Sequence, residues 1–324
     1  MNHLAKYFIW YVLLITFVCF SIFIPNFFSF SNSKNILIGG SVLGILVIGQ
    51  SLCLFSRNLD LSAEGTVSLV TVIAAWLMLP ATESTFAQAG GLGIELHPII
   101  VILIMLSLGA VIGFINGYLI AYIGMNFFIV TLAMQLVLRG SGFVIGEGAV
   151  MPGTPKLFNF LGGGQLWHIP MPILASFTMF LLFNYFVKST TIGRKIFSVG
   201  SNQKASITVG IDYKKTVLIV YSLSGMLAAF AGWMLLGKLE ISVPNLGAEL
   251  TLNVVAAAVI GGVSLKGGEG SLIGALAGVL LLAVINNALN IMNVDPFWVN
   301  AVRGFIILVA LIIDAQKSRL FKTI

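Results

Sequence analysis

Six amides stand inside apolar runs of this chain: Asn116, Gln135, Asn253, Asn286, Asn287 and Asn290. An amide donates and accepts hydrogen bonds at once, and in a segment too apolar for water it needs a protein partner or a hydrated cavity. Such groups suit the hydroxyls of a neutral polar solute, whereas a carboxylate solute calls for a cation or for helix N-termini. Interhelical hydrogen bonding is the other use of the same amides, and spacing alone does not choose between the two. A second group, Asp60, Ser62 and Glu64, opens an apolar run. Asp60 and Ser62 are placed to cap it and Glu64 to sit in its first turn; the alternative is a hinge or gate. Arg139 and Arg303 are costlier inside apolar runs and are expected to snorkel, to pair with a carboxylate or to meet backbone carbonyls.

Catalytic chemistry is not indicated. His3, His97 and His168 have no metal-ligand spacing, and no nucleophile elbow or carboxylate pair stands in a coherent context. The nearest approach to a phosphate loop, Gly262-Val263-Ser264-Leu265-Lys266-Gly267-Gly268, lacks the Lys-Ser/Thr that should follow its second glycine. Cys19 and Cys53 lie in apolar runs without partners at ligand spacing and read as small apolar fillers. The expectation is a non-enzyme that binds neither metal nor cofactor.

The elements that must position these residues are membrane helices. With 58% hydrophobic and 9% charged residues and a mean hydropathy of +1.05, the chain is an integral membrane protein rather than a soluble domain. Counting runs against the roughly 20 residues that cross a bilayer gives about ten spans. They are Phe8 to Ile24, Ile36 to Phe55, Leu61 to Leu79, Pro98 to Tyr122, Phe127 to Ile145, Pro170 to Val187, Thr216 to Leu236, Leu250 to Leu265, Ser271 to Met292 and Phe297 to Asp314. The first lacks a small-residue cleavage site and is kept as a span rather than a signal peptide. The net charge of +6 does not point to nucleic acid, because the basic residues sit at the ends of apolar runs.

Between Lys188 and Lys215 lie Lys188, Arg194, Lys195, Lys204, Lys214 and Lys215 against Asp212 alone. Short, basic, acid-poor connections are retained on the cytoplasmic side. That places Arg57, Lys266 and both termini there too, with Lys6 at one end and Lys317, Arg319 and Lys322 at the other. Residues 81–97 and 146–169 are then extracytoplasmic. An even number of spans divided into fives makes the second half run inverted relative to the first, an all-α, polytopic architecture of two inverted five-helix halves in a single transmembrane domain. Gly109, Gly113 and Gly117 in the fourth span, and Gly270, Gly274 and Gly278 at the ninth, recur every four residues and should form close-packing faces.

The segment Gly193-Arg194-Lys195-Ile196-Phe197-Ser198-Val199-Gly200-Ser201-Asn202-Gln203-Lys204-Ala205, closing with Gly210-Ile211, resembles the cytoplasmic loop of ribose-type ABC importer permeases. Gly261-Gly262-Val263-Ser264-Leu265, Gly267-Gly268-Glu269-Gly270, Gly274, Gly278, Asn286-Asn287 and Leu289-Asn290 resemble the Gly-rich block of the same family, as do Asn116-Gly117, Thr131-Leu132 and Leu138-Arg139-Gly140. Asp60-Leu61-Ser62 is followed by Ala63-Glu64-Gly65 instead of the usual Val-Gly, and the acidic residue is similar to nucleoside-type permeases. The resemblance implies a bacterial inner-membrane subunit carrying a monosaccharide by alternating access. It implies as partners a second permease copy or homologue, a cytoplasmic ATPase that uses ATP and Mg, and an external sugar-binding protein. It also implies that residues 191–211 form the coupling helices, with Gly193, Arg194, Gly200, Asn202, Ala205 and Gly210 at the ATPase. The binding protein should dock on residues 81–97, 146–169 and 238–249, where Glu83, Glu95, Glu147, Glu240 and Glu249 can pair with a basic rim. A nucleoside or branched-chain amino acid permease, or an ion-coupled secondary transporter, is the alternative.

Overall fold

Segments apolar on every side satisfy their backbone groups internally and bury themselves among similar segments or in lipid, so they fold as helices. The computed structural model describes residues 3–81, 88–295, 297–299, 301, 302, 304, 305 and 308. The chain begins with α1 (His3–Phe23), α2 (Phe30–Phe55), α3 (Ala63–Met78), α4 (Pro98–Ala121) and α5 (Phe127–Ile145). A smaller group follows: β1 (Met151–Pro152), α6 (Lys156–Gly163) and the hairpin of β2 (Gln165–Leu166) and β3 (Ile169–Pro170). Then come α7 (Met171–Ser189), α8 (Thr191–Ser201), α9 (Gln203–Thr208), α10 (Tyr213–Leu239), β4 (Ile241–Ser242), α11 (Leu250–Ile260) and α12 (Leu272–Ile291).

Among the described residues, α2, α4, α5, α7, α10 and α12 are each long and apolar enough to cross a membrane, while Phe8–Phe23, α3 and α11 are shorter apolar helices. The expected helical membrane architecture is present. Most of the run from Phe297 to Asp314 lies outside the described residues, as do Glu83, Arg303, Lys317, Arg319 and Lys322.

The run expected from Leu250 to Leu265 stops being helical at Ile260. Gly261-Gly262 follows it, Gly262 has φ +85°, and residues 261–270 form an irregular loop. At about 1.5 Å per residue, eleven residues of α11 span only about half of a ~30 Å hydrocarbon layer. Gly270 therefore belongs to no helical face: at φ +134° it lies ahead of the N-cap Ser271, against Phe55 and Val263. The other expected glycine faces are real contacts. A Cβ on Gly109 or Gly113 would overlap the Gly225 or Tyr221 carbonyl of α10, and one on Gly117 would come within 2.9 Å of Leu218 Cα. Gly274 and Gly278 of α12 stand in the same way against Gly261 and Ala257 beside α11.

Two long helices carry the core. Every residue of α2 from Gly40 to Phe55 is buried, and α10 crosses it where a Cβ on Gly49 would stand 3.2 Å from Ser224. Around this pair, α4 packs along α10 and α12 along α2; α3 lies on both α10 and α4, and α11 on both α2 and α12. The pattern is unchanged when α2, α3 and α4 are exchanged for α10, α11 and α12. Each long helix ends at a residue with left-handed φ nearby, Arg57 at 63° and Glu240 at 60°, and passes through an irregular stretch into a short helix. At the α10 C-terminal end, β1 pairs antiparallel with β4, Gln88 bridges Val150, and α6 packs on α10 with Trp233 Nε1 donating to the Phe158 carbonyl at 2.9 Å. The segments preceding α4, following α5 and following α10 thus form one layer, at the end of the bundle opposite α8 and α9.

Candidate functional site

The irregular stretch 56–62 is mostly buried, Arg57 excepted, although it is not helical, so its buried polar groups must be satisfied by side chains. Asn58 Nδ2 donates to the Ser56 carbonyl at 2.9 Å, and the Ser56 hydroxyl donates to the Cys53 carbonyl at 2.8 Å. The Asp60 carboxylate accepts from Ser62 N at 2.9 Å, from Ser62 Oγ at 2.6 Å and from Ser224 Oγ of α10 at 2.8 Å. Asn116 of α4 donates to Ser62 Oγ at 2.9 Å, and the Tyr221 hydroxyl of α10 donates to the Leu59 carbonyl at 2.9 Å. Asp60, Ser62 and Asn116, expected separately as cap and pathway residues, are parts of one knot.

The capping expectation is corrected. Ser62 is the N-cap of α3 but makes no side-chain cap bond, because it sits in right-handed helical backbone (φ −76°, ψ −9°) and its hydroxyl is engaged by Asp60 and Asn116. Asp60 holds the turn into the helix through Ser62 N instead. Hydrogen bonds to a carboxylate are the stronger kind, so this knot fixes the broken segment to α4 and α10. Beside these bonds, the Asn116 Oδ1 and, on α2, the Gln50 Nε2 and Ser51 Oγ are buried without a partner among the described residues.

Two residues after Ser62, in the first turn of α3, Glu64 is nearly buried and faces Arg139 of α5, with Nη1 3.8 Å from Oε1. The other guanidinium nitrogen donates to Asn245 Oδ1 in the irregular stretch before α11. That stretch lies along α3: Ser68 Oγ donates to the Pro244 carbonyl, and Thr251 Oγ1 to the Leu61 carbonyl at 3.4 Å. Of the outcomes expected for Arg139, pairing with a carboxylate is the one found. Gln135, one turn before Arg139, is half-buried, and its backbone would meet a Cβ on Gly65 of α3 at 2.7 Å.

Residues 191–208 are helical, α8 and α9 separated by Asn202, whose Oδ1 accepts from Ala205 N at 3.0 Å. The buried face of α8 is Gly193, Ile196, Val199 and Gly200, and the Phe197 ring stacks on Phe55 at 4.5 Å. A Cβ on Gly193 would overlap the Val187 carbonyl and one on Gly200 the Phe55 carbonyl. The same Phe55 carbonyl accepts from Gly268 N at 3.0 Å. Both glycines pack against main chain of this same chain, whereas Arg194, Asn202, Ala205 and Gly210 are exposed. A cleft of about 670 Å³ opens beside α9, lined by Arg57, Asn58, Asn126, Gln203, Tyr213 and Lys214 among others. At its edge Asp212 caps α10; the Lys215 backbone N–H it accepts, aided by the Lys215 ammonium 3.6 Å away, holds its carboxyl below the usual range.

Residues 32–311 match the family described as branched-chain amino acid transport system / permease component. The chain belongs to this permease family. It is 34% identical over 310 residues to the ribose import permease protein RbsC of Escherichia coli (strain K12), covering 94% of this chain and 92% of the relative. It is 32% identical over 314 residues to the L-arabinose transport system permease protein AraH of the same organism (97% and 91%), and 34% identical over 325 residues to its galactose/methyl galactoside import permease protein MglC (95% and 93%). No solved structure matches the chain.

In the permease, the six amides stand on four helices, α4, α5, α11 and α12. Asn253 Nδ2 donates to the Glu249 carbonyl at 3.0 Å at the start of α11. Asn286 and Asn287 are half-buried and Asn290 exposed on α12, a helix packed on α1, α2, α7 and α11, whereas Asn116 is on α4. The Asn287 Oδ1 is buried without a partner among the described residues. Sequence reasoning missed Tyr221, Ser224, Asn245 and Phe55. Tyr221 and Ser224, three residues apart, share a helical face inside an apolar run, and that spacing was the available signal.

Proposed function

We propose that this permease is the membrane-spanning subunit of an ABC importer that moves a monosaccharide or similar neutral polar solute inward. The observation that carries the reading is the match, over more than nine-tenths of this chain, to three permeases each named for a different sugar. ATP and Mg belong to a separate ATPase subunit; the permease itself is not an enzyme and holds no cofactor. It spans the bacterial inner membrane about ten times as two inverted halves, with both termini cytoplasmic. The exchange of α2, α3 and α4 for α10, α11 and α12 supports that arrangement, and the basic loop 188–215 supports the orientation.

The exposed face of α8 and α9, with Arg194, Asn202, Ala205 and Gly210, meets the ATPase; Gly193 and Gly200 seat those helices on the rest of the chain. The layer at the far end of the bundle receives the sugar-binding protein, with Glu95, Glu147, Glu240 and Glu249 offered on turns of left-handed backbone. A second permease copy or homologue completes the pathway, to which Asn116, Gln135, Asn253, Asn286, Asn287 and Asn290 contribute amides, and the Asp60, Ser62 and Glu64 segment forms its hinge.

Reconstitution with the ATPase and binding protein in proteoliposomes tests this. Labelled D-ribose, L-arabinose or D-galactose should accumulate only with ATP inside and binding protein outside. Accumulation driven by a proton or sodium gradient without ATP would instead establish an ion-coupled carrier.

A further inference from the structure

Arg139 is the one charged residue of α5, yet its side chain is 39% exposed and so is not sealed inside the chain. A guanidinium facing hydrocarbon is expensive, so its open side faces water or protein. Its held side has a particular form. At 3.8 Å the Glu64 carboxylate is beyond ordinary hydrogen-bond distance from Nη1, so it balances the charge without taking a hydrogen bond from that nitrogen. Asn245 takes a donor of the other nitrogen. A guanidinium carries five N–H donors in a planar fork, enough to meet two adjacent oxygens besides these partners.

Position adds to chemistry. Arg139 joins the start of α3, the middle of α5 and the stretch 240–249, which runs directly from the β1–β4 layer. Half-buried Gln135 stands one turn away on the same face of α5. Arg139 thus ties the stretch that leaves that layer to the helix that follows the Asp60 knot.

Resting on the permease reading above, we propose that Arg139 contacts the transported solute, its guanidinium donating to adjacent hydroxyl oxygens of a neutral sugar, with Glu64 and Asn245 as positioning residues. Charge balance by Glu64 suits a neutral solute, because an unpaired cation would select an anion. A lysine offers a point charge without the fork and cannot reproduce a two-hydroxyl contact.

The test compares Arg139→Lys, Arg139→Gln and Glu64→Gln with the unsubstituted permease in the complete reconstituted complex. Uptake of D-ribose, L-arabinose and D-galactose is measured at saturating binding protein, and recovery of the co-purified ATPase monitors assembly. The expected result is at least a tenfold loss of uptake in Arg139→Gln, and in Arg139→Lys a change of threefold or more in the ratio of rates among the sugars, with assembly retained. Equal losses for every sugar, or loss of assembly in both Arg139 variants, would assign the residue to structure or to the contact with the second permease and overturn the proposal. If the unsubstituted complex carries none of the three sugars, the sugar reading falls and this inference with it. If it carries them and the ratios stay unchanged in Arg139→Lys, only the inference falls.

Discussion

At the residue scale, the buried carboxylate of Asp60 has three donors and no cation beside it among the described residues. Its dependence on those donors is measurable. Ser224→Ala removes a hydrogen bond to a charged group, an interaction worth about 1.5–3 kcal/mol, whereas Tyr221→Phe removes one to a neutral carbonyl, worth about 1 kcal/mol. The thermal midpoint of the purified permease should fall in both and further in Ser224→Ala; the reverse order would mean that Asp60 is satisfied by other means. Asp60, Ser62 and Asn116 were legible as polar residues in apolar surroundings. Their union was not, because nothing in linear spacing says that Asn116 and Ser224 face the same seven-residue stretch from two different helices. Ser62 misled for a related reason: serine before a helix usually caps it, and only the competing partners Asp60 and Asn116 decide otherwise.

At the element scale, α10 begins on the Asp212 cap, and its carboxyl is held below the usual range chiefly by the Lys215 N–H. A lowered folded-state value means that the cap's contribution is complete above the unfolded carboxylate value of about 3.9 and is lost as pH falls through the lower folded value. Hydrogen exchange at the Lys215 amide should therefore show protection that declines in acid, and Asp212→Ala should remove that decline. Identical pH profiles for the two would refute the capping account. Glycines every four residues were readable as packing faces, and Gly109, Gly113, Gly117, Gly274 and Gly278 serve as such. Which helix they face was not readable, since a glycine records only that something comes close. The same blindness made α11 too long: Val263 and Leu265 continue the apolar run, and only the left-handed backbone at Gly262 ends the helix.

At the scale of the whole molecule, the class was legible from composition and basic loops, and the exchange of one trio of helices for another was only hinted at by matching glycine runs. Sequence divergence erases an internal likeness sooner than packing does, because many apolar residues fill the same space. Residues 191–211, expected to form coupling helices, carry α8 and α9, and of their glycines Gly193 and Gly200 face inward, onto α7 and α2, whereas Gly210 is exposed. Gly200→Ala should consequently abolish ATP turnover coupled to transport while membrane insertion and expression persist. Undiminished coupled turnover would show that α8 is not the relay.

The contact between Gly200 and the Phe55 carbonyl has a mechanical meaning. Side chains bend, rotate and absorb small displacements, but here main chain rests on main chain, and the same carbonyl is also held by Gly268 N. A junction of that kind has almost no slack: a shift of α8 by an ångström is delivered as such to the foot of α2, whose residues from Gly40 to Phe55 are all buried. Drift in the surrounding side chains can retune how strongly α8 is grasped from outside, while the stroke passed inward stays constant.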